Sequence, residues 1–153
     1  MNSFGVGNLG ESAVLYEFQK HQIYCYLPYG GGCHTDIIAD INGSLVKIQV
    51  KSSTCYNKKQ DSCQFRVVSM NKSHNNYKHR YSSEEVDYFA FYCKENDIIA
   101  FIPFNIVAKY VNNITIQYSD KSTRNQFTPI KASDYTLDKM LIALGCSSVG
   151  RER

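Results

Sequence analysis

Residues 35–53 read TDIIADINGSLVKIQVKSS, and this stretch decides the fold. Asn42-Gly43 lies between two alternating apolar runs, the strongest short-range signal for a β-hairpin. A two-residue turn there fixes the register. Ile41 faces Ser44, Ala39 faces Val46, Ile37 faces Ile48, and Asp36 faces Gln49. One face then carries Ile37, Ala39, Ile41, Val46, Ile48 and Val50, and belongs to a core. The other carries Asp36, Ile38, Asp40, Leu45, Lys47, Gln49 and Lys51. Directly opposed residues have Cβ atoms about 4.5–5.5 Å apart, and diagonal neighbours stay within reach of long side chains. Asp36, Gln49 and Lys51 therefore converge at the end of the hairpin away from the turn. A slip of two pairs would put Asp40 in the place of Asp36, farther from Lys51.

An acid, a short hairpin, then a polar residue and a lysine two positions apart suit phosphodiester hydrolysis. That chemistry uses a hard divalent cation held by oxygens, which polarises the phosphate and lowers the pKa of a bound water. Asp36 supplies an anionic oxygen, and the Val50 carbonyl is a second donor where a strand edge faces the ion. Lys51 has the reach to position or deprotonate water, or to stabilise developing charge. Upstream, LGESAVLYEFQKHQ (9–22) reads as a helix with Val14, Leu15 and Phe18 as its apolar stripe. Asn8 is a candidate N-cap and Glu11 a candidate N3 acid, a common stabiliser there. Glu11 also heads the stripe, from where it can add a second carboxylate.

Downstream, IYCYLPYGGGC is a short strand and a Pro/Gly turn, and CQFRVVSMN (63–71) is a candidate strand. VDYFAFYC (86–93) and IIAFIPF (98–104) read as buried strands around KEND, with NITIQYS (113–119) as a further strand. SDYTLDKMLIALG (133–145) reads as a C-terminal helix. Ser133 is its expected cap, Leu137, Met140, Leu141 and Leu144 its apolar face, and Gly145 its end. The order implies an α/β or α+β fold, a sheet with flanking helices. The 153 residues, 43% of them hydrophobic, suit one domain over 1–153 with one core. No apolar run nears the roughly 18–20 residues that span a bilayer, and MNSFGVGNLGES lacks a signal peptide's h-region. The expectation is an intracellular, cytoplasmic protein without a membrane partner. Six cysteines stand at 25, 33, 55, 63, 93 and 146. None forms CxxC, so a zinc site is weakly supported and reduced thiols are expected.

Charge is uneven. The net charge is +3, yet residues 47–80 hold eight Lys/Arg against one acid, Asp61, a local +7 that leaves −4 elsewhere. Such a segment is a polyanion footprint or a solvated loop. Residues 54–83 form the candidate DNA-reading insertion, with Lys58, Lys59, Gln60, Gln64, Arg66, Lys72, Asn75, Asn76, Lys78 and Arg80. Arg and Lys contact phosphates or guanine edges, and Asn and Gln pair with adenine. Tyr77 and Tyr81 are weaker candidates for nucleic-acid contact. His34, His74 and His79 are read as surface or phosphate-contacting residues and not as a base or metal cluster.

TD at 35–36, followed by QVK at 49–51 and preceded by the LGES helix, resembles the PD-(D/E)xK nuclease superfamily. The resemblance is clearest over residues 5–53, and VDYFAFYCKENDIIAFIPF is similar to later strands of its resolvase-like members. It implies a restriction-endonuclease-like α/β core with a mixed central sheet. It implies Glu11 and Asp36 as metal ligands beside the Val50 carbonyl, Gln49 as ligand or water-positioner, and Lys51 as the catalytic lysine. Thr35 stands for a proline that carries no ligand. Gln49 stands for an acid, and an amide oxygen binds a hard metal without charge. GVGNLGESAVLYEFQKHQ through DIIADINGSLVKIQVKSS is similar to the superfamily's group I intron homing endonucleases, known from a cyanobacterium. That implies Mg²⁺-dependent (or other divalent) double-strand cleavage of a long duplex DNA target by a homo-oligomer, dimer or tetramer. One site cuts one strand, so a double-strand break calls for two-fold pairing. The competing expectations are a junction resolvase or restriction enzyme of the same fold, and a DNA-binding module whose Gln49 marks a weakened site.

Overall fold

The computed structural model describes residues 3–71, 77–119 and 129–146. The chain begins with helix α1 (Ser3–Lys20) and strand β1 (Tyr24–Tyr26). The predicted hairpin follows as β2 (Ile37–Ile41) and β3 (Ser44–Ser53), then β4 (Tyr56–Asn57), β5 (Ser62–Arg66), β6 (Val68–Asn71) and β7 (Tyr77–Arg80). The two apolar runs are β8 (Tyr88–Cys93) and β9 (Ile98–Pro103). A single-turn helix α2 (Phe104–Val107), β10 (Asn113–Gln117), β11 (Ile130–Lys131), a 3-10 turn at Ala132–Asp134 and α3 (Leu137–Ala143) complete it.

The hairpin register is the expected one. Ile37 pairs Ile48, Ala39 pairs Val46 and Ile41 pairs Ser44. Asn42 and Gly43 both take positive φ, 53° and 81°, as a type I′ turn requires. The central sheet runs β1-β2-β3-β8-β9. It is mixed: β3 and β8 are parallel, and the flanking pairs are antiparallel. A second sheet of order β11-β10-β5-β4 and the β6–β7 ribbon account for the rest.

The central sheet carries a core on each face, and β8 and the middle of β9 are buried on both, whereas β2 and the turn end of β3 keep one face partly open. On one, Ile37, Ala39, Ile48, Val50, Ala90 and Phe101 pack against Val14 and Phe18 of α1 and Leu137, Met140 and Leu141 of α3. On the other, Phe89, Phe91 and Ile102 pack against Phe65, Ile114 and Ile116 of the second sheet. Each of these Val, Leu, Ile, Phe and Met side chains, fully withdrawn from water, contributes about 1.5–3 kcal/mol. This two-sided burial explains why β8 and β9 read as continuous apolar runs while β2 and β3 alternate.

The helix ends depart from expectation. α1 starts at Ser3, so Asn8 is an interior residue and Glu11 is not a first-turn acid. Packing of α1 on β3 and β8 overrides the low propensity of its three glycines. The C-terminal helix is capped by Thr136, whose hydroxyl accepts from Lys139 N at 3.3 Å. Ser133 lies in the preceding 3-10 turn. Leu144 falls past the last turn and is 37% exposed, and Gly145 ends the helix at φ +90°. Residues 63–71 form two strands, because Val67 leaves the ribbon to donate its N–H to Asn112 O at 2.9 Å. All six cysteines are free thiols. Among the described residues no helix is long and apolar enough to cross a membrane.

Candidate active site

The β2–β3 ladder ends one residue short of Asp36. The Asp36 N–H still donates to Ile48 O at 3.0 Å, which holds the residue beside β3. Its carboxylate then takes the next free donor of β3, accepting from Val50 N at 2.8 Å. The Gln49 amide nitrogen donates to the same carboxylate oxygen and lies 3.3 Å from Val50 O. Gln49 is buried, so these contacts satisfy its amide away from water. Lys51 is the next residue on this face. Its register partner is Phe91, and its ammonium donates to Tyr81 OH at 2.7 Å, 4.6 Å from the centre of that ring.

Glu11 reaches the site because α1 approaches β3 at a glycine. A Cβ built on Gly10 would lie 1.8 Å from Ser52 Oγ and 3.1 Å from Ser52 Cβ. No other residue fits there without displacement. The Ser52 hydroxyl is buried with no partner among the described residues.

The electrostatics follow from burial. Lys51 is lowered to about 8, chiefly by burial and further by the charge of Arg66, against the opposing attraction of Asp36. Asp36 is raised by burial, against the Val50 N–H, Lys51 and Gln49. Glu11 is raised by burial and then by the charge of Asp36. Tyr81 is pushed up to about 12, first by burial and then by Asp36, so it remains a phenol. Two carboxylates that burial pushes up, one of them further by the charge of the other, are short of positive charge. The donor set therefore fits a hard divalent cation: two carboxylates, one backbone carbonyl and one side-chain amide. The Gln49 nitrogen lies between two of those oxygen acceptors, Asp36 Oδ2 and Val50 O.

Three of the expected residues, Asp36, Gln49 and Val50, thus meet at one point, with Lys51 and Glu11 in electrostatic reach of Asp36. Asp40 does not join them. Its carboxylate accepts from Gly43 N at 2.9 Å and serves the turn. The basic residues spread more widely. Lys58, Lys59 and Gln60 are exposed on the β4–β5 turn, where Asn57 Oδ1 accepts from Lys59 N and Gln60 N. Gln64 and Arg66 point outward on β5 while Cys63 and Phe65 point inward. Lys78 and Arg80 are exposed on β7, and contact Asn112 Oδ1 at 3.3 Å and Ala108 O at 3.4 Å. Lys72, Asn75, Asn76 and His74 lie outside the described residues. A cleft lined by Gly7, Ser52, Thr54, Gln64, Arg66 and Asn113 runs between α1, the end of β3 and β5.

Two features escaped the sequence reading. Tyr81 is a partner of Lys51, with no local pattern to announce a contact across 30 residues. His34 and His79, expected to be separate surface residues, stack with ring centres 3.9 Å apart beside Glu85. His34 leads into β2, and its neighbour Thr35 donates its hydroxyl to Glu85 O at 2.6 Å, which brings the two segments together.

The sequence profile of PD-(D/E)XK endonucleases matches residues 1–138. No curated protein matches the chain significantly. Among solved structures the chain is similar to a bacterial homing endonuclease, I-Ssp6803I, with a TM-score of 0.76 and 20% identity. The match covers 97% of this chain and 100% of that one.

Proposed function

We propose that this chain, which belongs to the PD-(D/E)XK endonuclease family, is a homing-type endonuclease that makes Mg²⁺-dependent double-strand breaks at a long DNA target. The observation that carries the reading is the meeting of Asp36, Gln49 and Val50 O beside a Lys51 ammonium whose pKa is brought to about 8. In this reading Asp36, Glu11, Val50 O and the Gln49 amide oxygen hold the cation. When bound, it neutralises the scissile phosphate and acidifies a water.

The chain's own residues do the rest. Gln49 turns its amide so that oxygen replaces nitrogen towards the site. Lys51, in its neutral fraction, takes the proton of the water that attacks phosphorus, the P–O bond on the far side breaks, and the leaving oxygen takes a proton from solvent water. A group near pKa 8 is well matched to that transfer near neutral pH. Tyr81 accepts a hydrogen bond from the protonated amine and holds it on the site. Arg66, exposed on β5, is positioned to meet a phosphate along the cleft. Lys58, Lys59, Gln60, Gln64, Lys78 and Arg80 contact the duplex, with residues 54–83 as the reading segment. Two copies act together, because each site cuts one strand. A binding-only module has no use for a buried lysine that costs stability, which favours catalysis over the weakened-site reading. The similarity over nearly the whole chain to a structure described as a homing endonuclease supports the homing type over a resolvase or restriction enzyme.

The test is paired substitution. Lys51→Met should lower cleavage by about 10²–10⁴-fold, the usual scale for a missing acid–base group, and Asp36→Asn should lower it by removing an anionic metal ligand, each with duplex affinity largely kept. Near wild-type cutting by either variant would remove these residues from the site.

A further inference from the structure

We propose that His34, His79 and Glu85 form a second metal site, which takes one transition-metal ion of the zinc class. Their donor atoms all lie within 4.8 Å of one another. His79 Nε2 is 3.0 Å from Glu85 Oε1 and 3.1 Å from Oε2. His34 Nε2 is 4.0 Å from the same Oε1. The two imidazole rings are nearly parallel, 10° apart, and both present Nε2 to one carboxylate. Zinc bonds to such donors are about 2.0–2.2 Å long, so small side-chain rotations close the set around an ion.

The donor chemistry selects the metal. Two imidazoles and a carboxylate suit zinc and its first-row neighbours, whereas Mg²⁺ and Ca²⁺ want oxygen alone. The carboxylate has supporting bonds of the kind that orient a metal ligand. Ser82 N donates to Glu85 Oε2 at 2.8 Å and fixes the carboxylate. Thr35 Oγ1 donates to Glu85 O at 2.6 Å and ties the His34 segment to the Glu85 turn. The Tyr81 ring stands edge-on to both imidazoles. The side chains of His34, His79 and Glu85 are 37%, 29% and 27% exposed, so an ion has an entry route and a fourth position open to water.

The three ligands come from the lead-in to β2, from β7 and from the turn before β8. An ion there clamps the β6–β7 ribbon, which carries Lys78 and Arg80, to the segment that carries Asp36. Tyr81 packs on the clamp and holds Lys51. The ion thus organises the basic ribbon against the candidate active site and takes no part in hydrolysis.

The test uses the full chain after treatment with EDTA and dialysis. Isothermal titration with Zn²⁺ in millimolar Mg²⁺, which occupies the candidate active site, should give one ion per chain and a further rise in melting temperature. His79→Gln and Glu85→Gln should each weaken Zn²⁺ binding by at least about tenfold, the usual scale for removing a ligand or its support. Asp36→Asn should bind Zn²⁺ as the wild type does, whether or not it cuts DNA. With Co²⁺ in place of zinc, the spectrum should show nitrogen and oxygen ligation in the folded wild type. Absence of Zn²⁺ uptake would overturn the proposal. So would loss of uptake in Asp36→Asn, which would put the ion in the other site, or a thiolate charge-transfer band, which would put it on a cysteine.

Discussion

Lys51 is a charged group held away from water, and its consequences can be measured one residue at a time. Its pKa in the folded chain, about 8, lies below the ordinary 10.5. A depressed lysine disfavours folding fully below pH 8, and the cost fades as pH rises from about 8 towards 10.5. Lys51→Met should therefore stabilise the protein at pH 7 by on the order of 2 kcal/mol, with the advantage shrinking over that window. Urea unfolding at pH 7 and pH 10 measures it, and a pH-independent loss of stability would contradict it. The same group sets the pH–rate profile. Cleavage should climb to about pH 8 and then level, and Lys51→Arg should remove the climb, because arginine does not deprotonate. Much of this site was legible in the sequence. Asn42-Gly43 fixed the register, and the register brought Asp36, Gln49 and Lys51 together. Tyr81 and the His34–His79–Glu85 group were not legible. The Lys51–Tyr81 and His34–Glu85 contacts join segments far apart in the chain, and no periodicity records such contacts.

At the scale of elements, the junction of α1 with β3 is the most demanding. Gly10 leaves room for Ser52 and brings Glu11 towards Asp36. Gly10→Ala would gain helix propensity but overpack a buried contact, with a net loss of about 1–3 kcal/mol. Cleavage should fall with it, because Glu11 moves with the helix. Adding Ser52→Gly removes the clashing hydroxyl and should restore most of the stability, since the next neighbour, Val50 Cγ1, would be at 3.4 Å. A double-mutant cycle reads the coupling, and purely additive losses would mean the two residues do not meet. The strands were read well, because alternation and turn chemistry are local signals. The start of α1 was not, because glycines at 5, 7 and 10 argue against a helix that only tertiary packing sustains. Ser133 and Thr136 are equally good capping residues by sequence, and only the 3-10 turn before α3 separates them.

At the scale of the molecule, the central sheet is closed by helices on one side and by the second sheet on the other. Residues 54–83 are built into that arrangement through β5, which pairs with β10 from much later in the chain. Composition identified this segment as basic, but it could not reveal the pairing with β10. If the exposed β4–β5 turn meets DNA, Lys58→Gln with Lys59→Gln should lower affinity evenly across sequences. The slope of log K against log salt should shrink by about 0.9 for each phosphate that is no longer neutralised. An unchanged slope would take both lysines out of the interface.

The proposed function requires metal-dependent cutting of duplex DNA at a long site. The most direct measurement is digestion of a randomised duplex library by the purified protein, with Mg²⁺ or with EDTA, followed by sequencing of the cut ends. A homing-type endonuclease should cut only with Mg²⁺, on both strands, at one long motif. Cutting in EDTA, cutting at short motifs, or no cutting with Mg²⁺ would contradict it.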